Sequence, residues 1–350
     1  MMLATIPPAA YLAIAIGGAL LLDSLIGDPA FAWHPVRLLG RLAAAGEKLG
    51  RRLFAAPEKD SQPDPAATDR AARRLKLAGA ACWLAVCAIA YAFSAGVSAL
   101  LGSLHPAAGL AGDIIIIWAS IAPADLARHA NRVRRALRRD RLDGSGEPHR
   151  ARAALAMIVG RDVSRLDAAG CARAAAESVA ESSVDGVAAP LFWAALFGPA
   201  AAFVYRAINT MDSMFGHHNE RYENFGLVPA RADDVANFFP ARLSAVLACL
   251  VAPLAGGSLP AALRCLALNR LKHASPNAGH PEAAYAGAFG LRLGGPTHYA
   301  EGLADKPWLN AGGGECREAH IGQAIRLMYA QSLASGVAFL ALRYGLDLLA

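Results

Sequence analysis

Residues 187–208 read VAAPLFWAALFGPAAAFVYRAI, an apolar run long enough to cross a bilayer but interrupted by Pro190 and by the pair Gly198-Pro199. The expectation is a broken or re-entrant segment, because irregular backbone survives at membrane depth only where protein or a water-filled cavity satisfies it. Working outward, the upstream stretch ARAAAESVAESSVDG (172–186) spaces Arg173, Glu177, Glu181 and Asp185 four apart. One helical stripe thus carries a cation followed by three carboxylates. Downstream, in YRAINTMDSMFGHHNERYENFG (205–226), Arg206, Asn209, Asp212 and Ser213 share a helix face before Gly216 ends it. Charge buried beside a membrane-like run is costly unless each group finds a partner or a ligand. The polar block at about 158–240 is therefore where a site is expected.

Composition sets the class. The chain has 350 residues, 55% of them hydrophobic and only 18% charged, with a mean hydropathy of +0.32. That is too apolar for an ordinary soluble enzyme and indicates an all-α, polytopic helical integral membrane protein with cytoplasmic helical loops. Alanine carries much of the surplus, so the class is firmer than the span boundaries. The net charge of +6 is concentrated in two basic segments, Arg37–Lys76 and Arg128–Arg173, as the positive-inside rule requires of short cytoplasmic loops. Neither interleaves aromatics with its arginines, so nucleic acid is not expected as a partner. Six scattered cysteines without a CxxC pair indicate neither a disulfide framework nor a zinc site.

Residues 9–26 form the first expected span, a retained anchor because no Lys or Arg precedes it and no small-x-small cleavage site follows. The N-terminus then lies outside. Asp28 and His34 follow in a Trp- and Pro-containing stretch that reads either as a membrane-exit collar or as part of the site. Residues 56–70 form a polar, proline-rich linker. Residues 77–101 and 107–121 form a two-span hairpin, Asp125–Arg139 a cationic helix with a solvated face, and GSGEPH an insertion. Complete crossings by both 187–208 and 241–257 would strand the polar block outside. The alternatives are a hairpin that does not cross, or one that holds the block in a cytoplasm-facing cavity. A segment at 327–346 closes the chain, and the whole of 1–350 reads as one membrane domain.

Several motifs bear on the chemistry. No GxxxxGK[ST], GxSxG or HExxH is present, so nucleotide use requires a non-P-loop site. The neighbouring His217 and His218 point in different directions, which disfavours zinc. Glu177, Glu181, Asp185, Asp212, Glu220 and Glu223 offer hard oxygen ligands suited to magnesium. Arg161, Arg206 and Arg221 offer bidentate partners for carboxylate or phosphate, and this pairing is what phosphoryl transfer onto a carboxylate needs. A second candidate lies at about 270–296. There Pro276 and Pro281 pin a turn, and Asn277 and Gly279 allow left-handed backbone. With Arg270, Lys272 and His273 just upstream, exposed amides of that turn would hold a phosphate. Glu282 would compete with the anion or share a magnesium ion with it.

GDP with HPVRLLGRL (27–42), IVGRD (158–162), ESVAESSVDGVAAPLFWAALFG (177–198), YRAINTMDSMFGHHNERYENFG with ARADDVANFFPARL, SPNAGHPEAAYAGAFGLRLGGP (275–296) and KPWL (306–309) occur in this order. Together they resemble the CobD/CbiB family, the adenosylcobinamide-phosphate synthases of cobalamin biosynthesis, over nearly the whole chain. Departures from the family's pattern fall at Val163, at Ser182-Ser183-Val184 and at Tyr285; the first removes a hydroxyl beside Asp162.

The resemblance implies an inner-membrane ligase with its active site on the cytoplasmic side. It would use ATP and Mg2+ to join adenosylcobyric acid to (R)-1-aminopropan-2-ol or its O-phosphate. Within that reading we expect Asp185, Asp212 and Glu220 on magnesium, with Glu177, Glu181 and Glu282 as further ligands. Arg161, Arg206 and Arg221 would take phosphates or the corrin carboxylate. Asn209, Asn277 and His280 would orient substrates, and Asp162, Lys272, Ser275 and Gly279 would complete the substrate and phosphate contacts. The bilayer is the expected partner, with association with other cobalamin-assembly enzymes and a homo-oligomer left open. Two further readings remain: a non-enzymatic AmpE-like membrane regulator or sensor, and a corrinoid transporter. The transporter would require complete crossings at 187–208 and 241–257.

Overall fold

The computed structural model describes residues 7–27, 33–54, 65–144, 146–217, 219–299 and 302–349, with side chains of 65–67 excepted. Asp28, His218, most of the linker and part of the GSGEPH insertion lie outside the described residues. The chain runs through α1 (Pro8–Ile26), α2 (Pro35–Phe54), α3 (Pro65–Leu104), α4 (Pro106–Ser120), α5 (Pro123–Leu142) and α6 (His149–Leu155). It continues through α7 (Ala168–Ser183), a π-helical turn Val184–Ala188, α8 (Ala189–Phe197), α9 (Pro199–Phe215), α10 (Leu227–Ala236) and α11 (Phe238–Val251). It ends with α12 (Leu259–Asn269), α13 (Gly279–Phe289), four short strands, and α14 (Glu318–Leu349). The strands β1 (Leu293–Gly294) and β4 (Trp308–Leu309) pair antiparallel, as do β2 (Thr297–Tyr299) and β3 (Gly302–Ala304). The all-α expectation holds, with these ribbons as its one exception.

Among the described residues six helices open on proline. The ring pre-sets the helical φ, and the missing N–H would have been unsatisfied there anyway. This corrects the linker expectation for 65–70: Pro65 does not prolong a polar tether but starts α3. Among the described residues five stretches are long and apolar enough to cross a membrane, Pro8–Ile26, Thr68–Leu104, Pro106–Leu142, Phe238–Ala255 and Glu318–Leu349. They contain the segments expected at 9–26, 77–101, 107–121 and 327–346 and most of the one at 241–257. The run 187–208 is not among them. It breaks at Gly198, whose φ of +89° is open to glycine and strained for other residues, so the crossing that a transporter reading required is not made by one helix. The helix expected at Asp125–Arg139 is α5, which turns Ala127, Ala130, Val133 and Leu137 inward and leaves its cationic side outward.

The chain divides into two compact units. One comprises Met1–Leu21, Pro29–Ser120 and Trp193–Ala236. Its core joins Leu39 and Ala43 of α2, Ala78, Cys82 and Val86 of α3, Ile116 of α4, Met211 and Phe215 of α9, and Phe225. The backbone carbonyl of Phe225 approaches Gly79 so closely that a Cβ there would overlap it.

The other unit comprises Leu22–Asp28, Ile121–Phe192 and Asn237–Ala350. Its core is dominated by alanines of α5, α7, α11, α13 and α14. Small side chains let helix backbones approach closely and gain dispersion contacts over a long interface. The alanine surplus that weakens the membrane signal in the sequence is thus the material of this core.

Candidate functional site

The second unit gathers buried charge on α7 and α13. Asp167 caps α7 by accepting the Gly170 N–H at 2.6 Å, which sets the helix phase and stacks Glu177 and Glu181 one turn apart. Glu177 is only 3% exposed. Its Oε2 meets Arg161 Nη1 at 2.7 Å, its Oε1 accepts the Gly294 N–H at 2.7 Å, and Arg173 Nε lies 3.8 Å from the same oxygen. Glu282, in the first turn of α13, is also buried, with His273 Nε2 3.7 Å from its carboxylate. Glu181 is accessible to solvent, yet protein surrounds it closely enough that burial is the leading cause of its raised pKa.

The acids act on one another. Burial, then the charges of Glu177 and Glu181, push the Glu282 pKa well up, against the pull of Arg161 and Lys306. Burial and then Lys306 push the His273 pKa down, so its imidazole is neutral. Arg161 keeps its charge against burial because Glu177 holds it.

Lys306 belongs to the KPWL segment, and its Nζ donates to the Tyr299 hydroxyl at 2.6 Å. The same segment supplies β4, which pairs with β1 and so fixes the Gly294 amide against Glu177. Arg173 and Arg292 lie 4.8 and 4.9 Å from the Trp308 ring centroid. A cleft of ≈ 680 Å³ lined by Gly160, Arg161, Asp162, Arg165, His298, Tyr299 and Gly302 adjoins this centre, sharing Arg161 and Tyr299 with it. Asp162 is half-buried, and the Ser164 amide and hydroxyl hold its pKa down. Chemically, the centre sets carboxylates that can take a proton beside cations, Arg161 and Lys306, that can hold an anion.

The expected phosphate turn is organised differently from its sequence reading. Ser275 Oγ accepts the Asn277 and Ala278 N–H groups at 3.3 and 3.2 Å, and the Ser275 N–H is taken by His273 Nδ1 at 3.0 Å. The turn therefore caps itself instead of offering these amides to a ligand. Asn277, Gly279 and His280 are buried, because α12 and α13 meet so closely that a Cβ on Gly279 would overlap the Arg270 carbonyl. Asn277 Oδ1 accepts from Arg242 at 3.2 Å, and the exposed Lys272 donates to Asn269 at 2.8 Å. His280 Nε2 is buried without a hydrogen-bond partner, and burial, then Arg242 and Arg270, push the ring's pKa down to about 4.

The remaining expected residues fall in two places. Asp185 sits half-buried in the π-helical turn of the second unit. Arg206, Asn209, Asp212, Glu220 and Arg221 belong to the first unit. There Asn209 Nδ2 donates to Asp233 at 3.3 Å, Asp212 is half-buried in the last turn of α9, Glu220 is exposed, and Arg221 bonds Glu47 at 2.9 Å. Among the described residues no group of three or more His, Cys, Asp or Glu is placed to hold a metal ion. The acids that do come together, Glu177, Glu181 and Glu282, are those the sequence ranked lower. Lys306 and Tyr299 were not expected at the site, and His273 was expected beside a phosphate turn and not against Glu282. KPWL and the NRLKHASPN stretch were the available signals, but nothing local ties them to α7.

The chain matches the CobD/CbiB protein family over residues 16–328. It is 40% identical over 328 residues to the cobalamin biosynthesis protein CobD of Klebsiella pneumoniae, covering 94% of this chain and 96% of that one. It is 40% identical over 332 residues to the cobalamin biosynthesis protein CbiB of Salmonella choleraesuis, covering 95% and 98%. Over 344 residues it is 40% identical to the CobD of Brucella suis, with the same coverage. No solved structure matches. With the motifs in family order along the chain and relatives aligned nearly end to end, this protein belongs to the CobD/CbiB family.

Proposed function

We propose that this protein is an enzyme of cobalamin biosynthesis, and that it joins adenosylcobyric acid to (R)-1-aminopropan-2-ol or its O-phosphate at the expense of ATP. Family membership supports the pathway. The observation that carries the chemistry is the convergence of Glu177, Glu181 and Glu282 with Arg161 and Lys306. A carboxylate does not acylate an amine unaided. Transfer of the γ-phosphoryl group of ATP to the substrate carboxylate releases ADP and gives an acyl phosphate. The amine nitrogen then attacks the acyl carbon, the C–O bond to phosphate breaks, and the amine proton passes to a base. In this reading Arg161 and Lys306 would stabilise the phosphoryl oxygens, and Glu181, which is exposed to solvent, would take that proton.

Magnesium fits this donor set. Mg2+ keeps several waters and uses one or two protein carboxylates together with substrate phosphates, so a closed cage of three acids is not required. Glu282, whose pKa is raised by burial and by the charges of Glu177 and Glu181, would hold it in its deprotonated form, leaving Glu181 for the proton. When bound, the ion would neutralise charge on the phosphates. The active site would face the cytoplasm, where ATP is available. Asp185→Asn or Asp212→Asn should abolish ligation while the protein still inserts.

The test is direct. Full-length protein in detergent, supplied with adenosylcobyric acid, ATP, Mg2+ and either amine, should form the corresponding amide with stoichiometric ADP, both resolved by chromatography. ATP consumption without an amide product, or no reaction with either amine, would overturn the ligase reading.

A further inference from the structure

Helix α2 carries three different stripes. Leu39, Ala43, Glu47 and Gly50 are buried against the rest of the first unit. Leu38, Leu42, Ala45, Leu49 and Leu53 recur at helical spacing beside them, and of these Leu38, Leu49 and Leu53 are exposed large hydrophobics. On the other flank a cleft of ≈ 540 Å³ is lined by Ala44, Glu47, Lys48, Arg51, Arg52 and Arg221. Four cations therefore surround one carboxylate.

That carboxylate organises the cleft. Glu47 Oε1 accepts from Arg51 Nε at 2.8 Å and from Arg221 Nη2 at 2.9 Å. Arg51 Nη2 donates to the Arg221 carbonyl at 2.6 Å, and both guanidinium groups lie over aromatic rings, Arg51 over Phe225 at 5.3 Å and Arg221 over Tyr222 at 5.0 Å. Held in this way, two forks keep further N–H donors free of rotamer cost for an oxyanion. Lys48 and Arg52 stand exposed at the rim.

Position decides the occupant. Gly46 and Gly50 of α2 meet Cys82 and Ala78 of α3. On α3 the charged run ends at Lys76, and no charged residue follows from Leu77 to Leu104. The cleft thus lies where α3 passes from its charged to its apolar part, with a leucine stripe one flank away. An exposed apolar stripe beside a basic one is the pattern of a helix lying in the plane of a membrane surface, and cytoplasmic leaflets carry anionic headgroups.

We propose that this cleft is a binding site for the phosphate of an anionic phospholipid, with the Leu38–Leu53 stripe lying along its acyl chains. The proposal does not depend on the ligation reaction. The phosphate group has two sources, lipid and free anion, and the test separates them. Purified full-length protein in dodecyl maltoside is titrated with dioleoyl phosphatidylglycerol, with dioleoyl phosphatidylcholine, and with inorganic phosphate. Melting midpoint and lipid retained in native mass spectrometry are read for each.

Phosphatidylglycerol should raise the midpoint and be retained, whereas phosphatidylcholine should do neither. Lys48→Ala with Arg52→Ala should lose most of that shift and retention while its lipid-free midpoint stays at the wild-type value, since both side chains are exposed. Leu49→Gln should weaken retention without touching the charges. Undiminished phosphatidylglycerol retention by the double variant would overturn the assignment. So would a full shift produced by inorganic phosphate alone, which would make the cleft a site for free anions.

Discussion

Two buried glutamates, one in each unit, are held by arginines, and their surroundings differ in charge balance. Glu177 is 3% exposed and Glu47 6%; Glu47 bonds Arg51 and Arg221, whereas Glu177 bonds Arg161 and has Arg173 at 3.8 Å. Around Glu177 stand two more carboxylates and Lys306, and around Glu47 two more cations. The same ion-pair motif therefore sits among balanced charges in one place and in a surplus of base in the other. An arginine bound to a glutamate says little about the ligand; the unpaired neighbours decide it.

The largest expected effect breaks the Glu177 side of this comparison. Arg161 is 15% exposed and is the closest cation to Glu177, so Arg161→Met leaves a buried carboxylate with the Gly294 amide and, of the bridging cations, the longer Arg173 contact. Breaking a buried pair in this way costs about 3–5 kcal/mol, and ligation should fall with it. Unfolding followed by thermal melts in detergent should show that loss. A midpoint equal to wild type would mean that Glu177 is hydrated.

Next comes Glu282→Gln, which keeps shape and removes charge. Losing one electrostatic contributor at a reacting centre costs about 10²–10³-fold in rate, and the readout is initial velocity of amide formation. Stability should move the other way. Burial and two neighbouring carboxylates raise the Glu282 pKa above that of the unfolded chain. The folded state therefore holds the proton more tightly, and the contribution to stability is full below the unfolded value of 4.5 and is lost as pH rises through the folded one. Wild type should lose stability as pH rises across that window, and the glutamine variant should lose less. A variant that melts along the wild-type pH curve would separate Glu282 from the acid cluster.

His280 gives a smaller effect of opposite sign. Its pKa falls from 6.5 to about 4 on folding, so its contribution is present above 6.5 and is lost as pH drops through that window. His280→Gln should flatten the acid limb of the melting profile between those values. An unchanged limb would place the acid sensitivity elsewhere.

How much of this was legible follows from how local each feature is. The spans at 9–26, 77–101 and 327–346 are runs of apolar residues, and the break at Gly198-Pro199 is a property of two neighbours. Likewise the four-residue spacing of Glu177 and Glu181 places them on one helix face without tertiary information. The meeting of Glu282, His273 and Lys306 with α7 is another matter. It depends on the Gly294 amide reaching Glu177 and on β1 pairing with β4, contacts between residues far apart in sequence that no periodicity encodes. Proline misled at Pro65, where a helix starts, and the SPNAGHP turn looked open because its hydroxyl cap and its burial against α12 are both invisible in composition. The stripes of α2 were available in the sequence all along, but only the α3 contact turns them into a surface at a given depth.

The smallest effect tests the Glu47 side. Arg221→Ala removes one of two guanidinium groups from Glu47, but Arg221 is 63% exposed and Arg51 keeps its own bond to the same oxygen. Exposed pairs contribute little, because water screens them and the long side chain loses entropy when ordered. Lys48 and Arg52 also remain in the cleft, so the glutamate never faces an apolar environment alone. The melting midpoint should stay close to wild type, well inside the loss expected of Arg161→Met under the same conditions, and adding salt should narrow the gap further. A loss as large as that for Arg161→Met would show Glu47 to be as poorly solvated as Glu177, and the contrast between a charge-balanced centre and a cationic cleft would then reduce to two equivalent buried ion pairs.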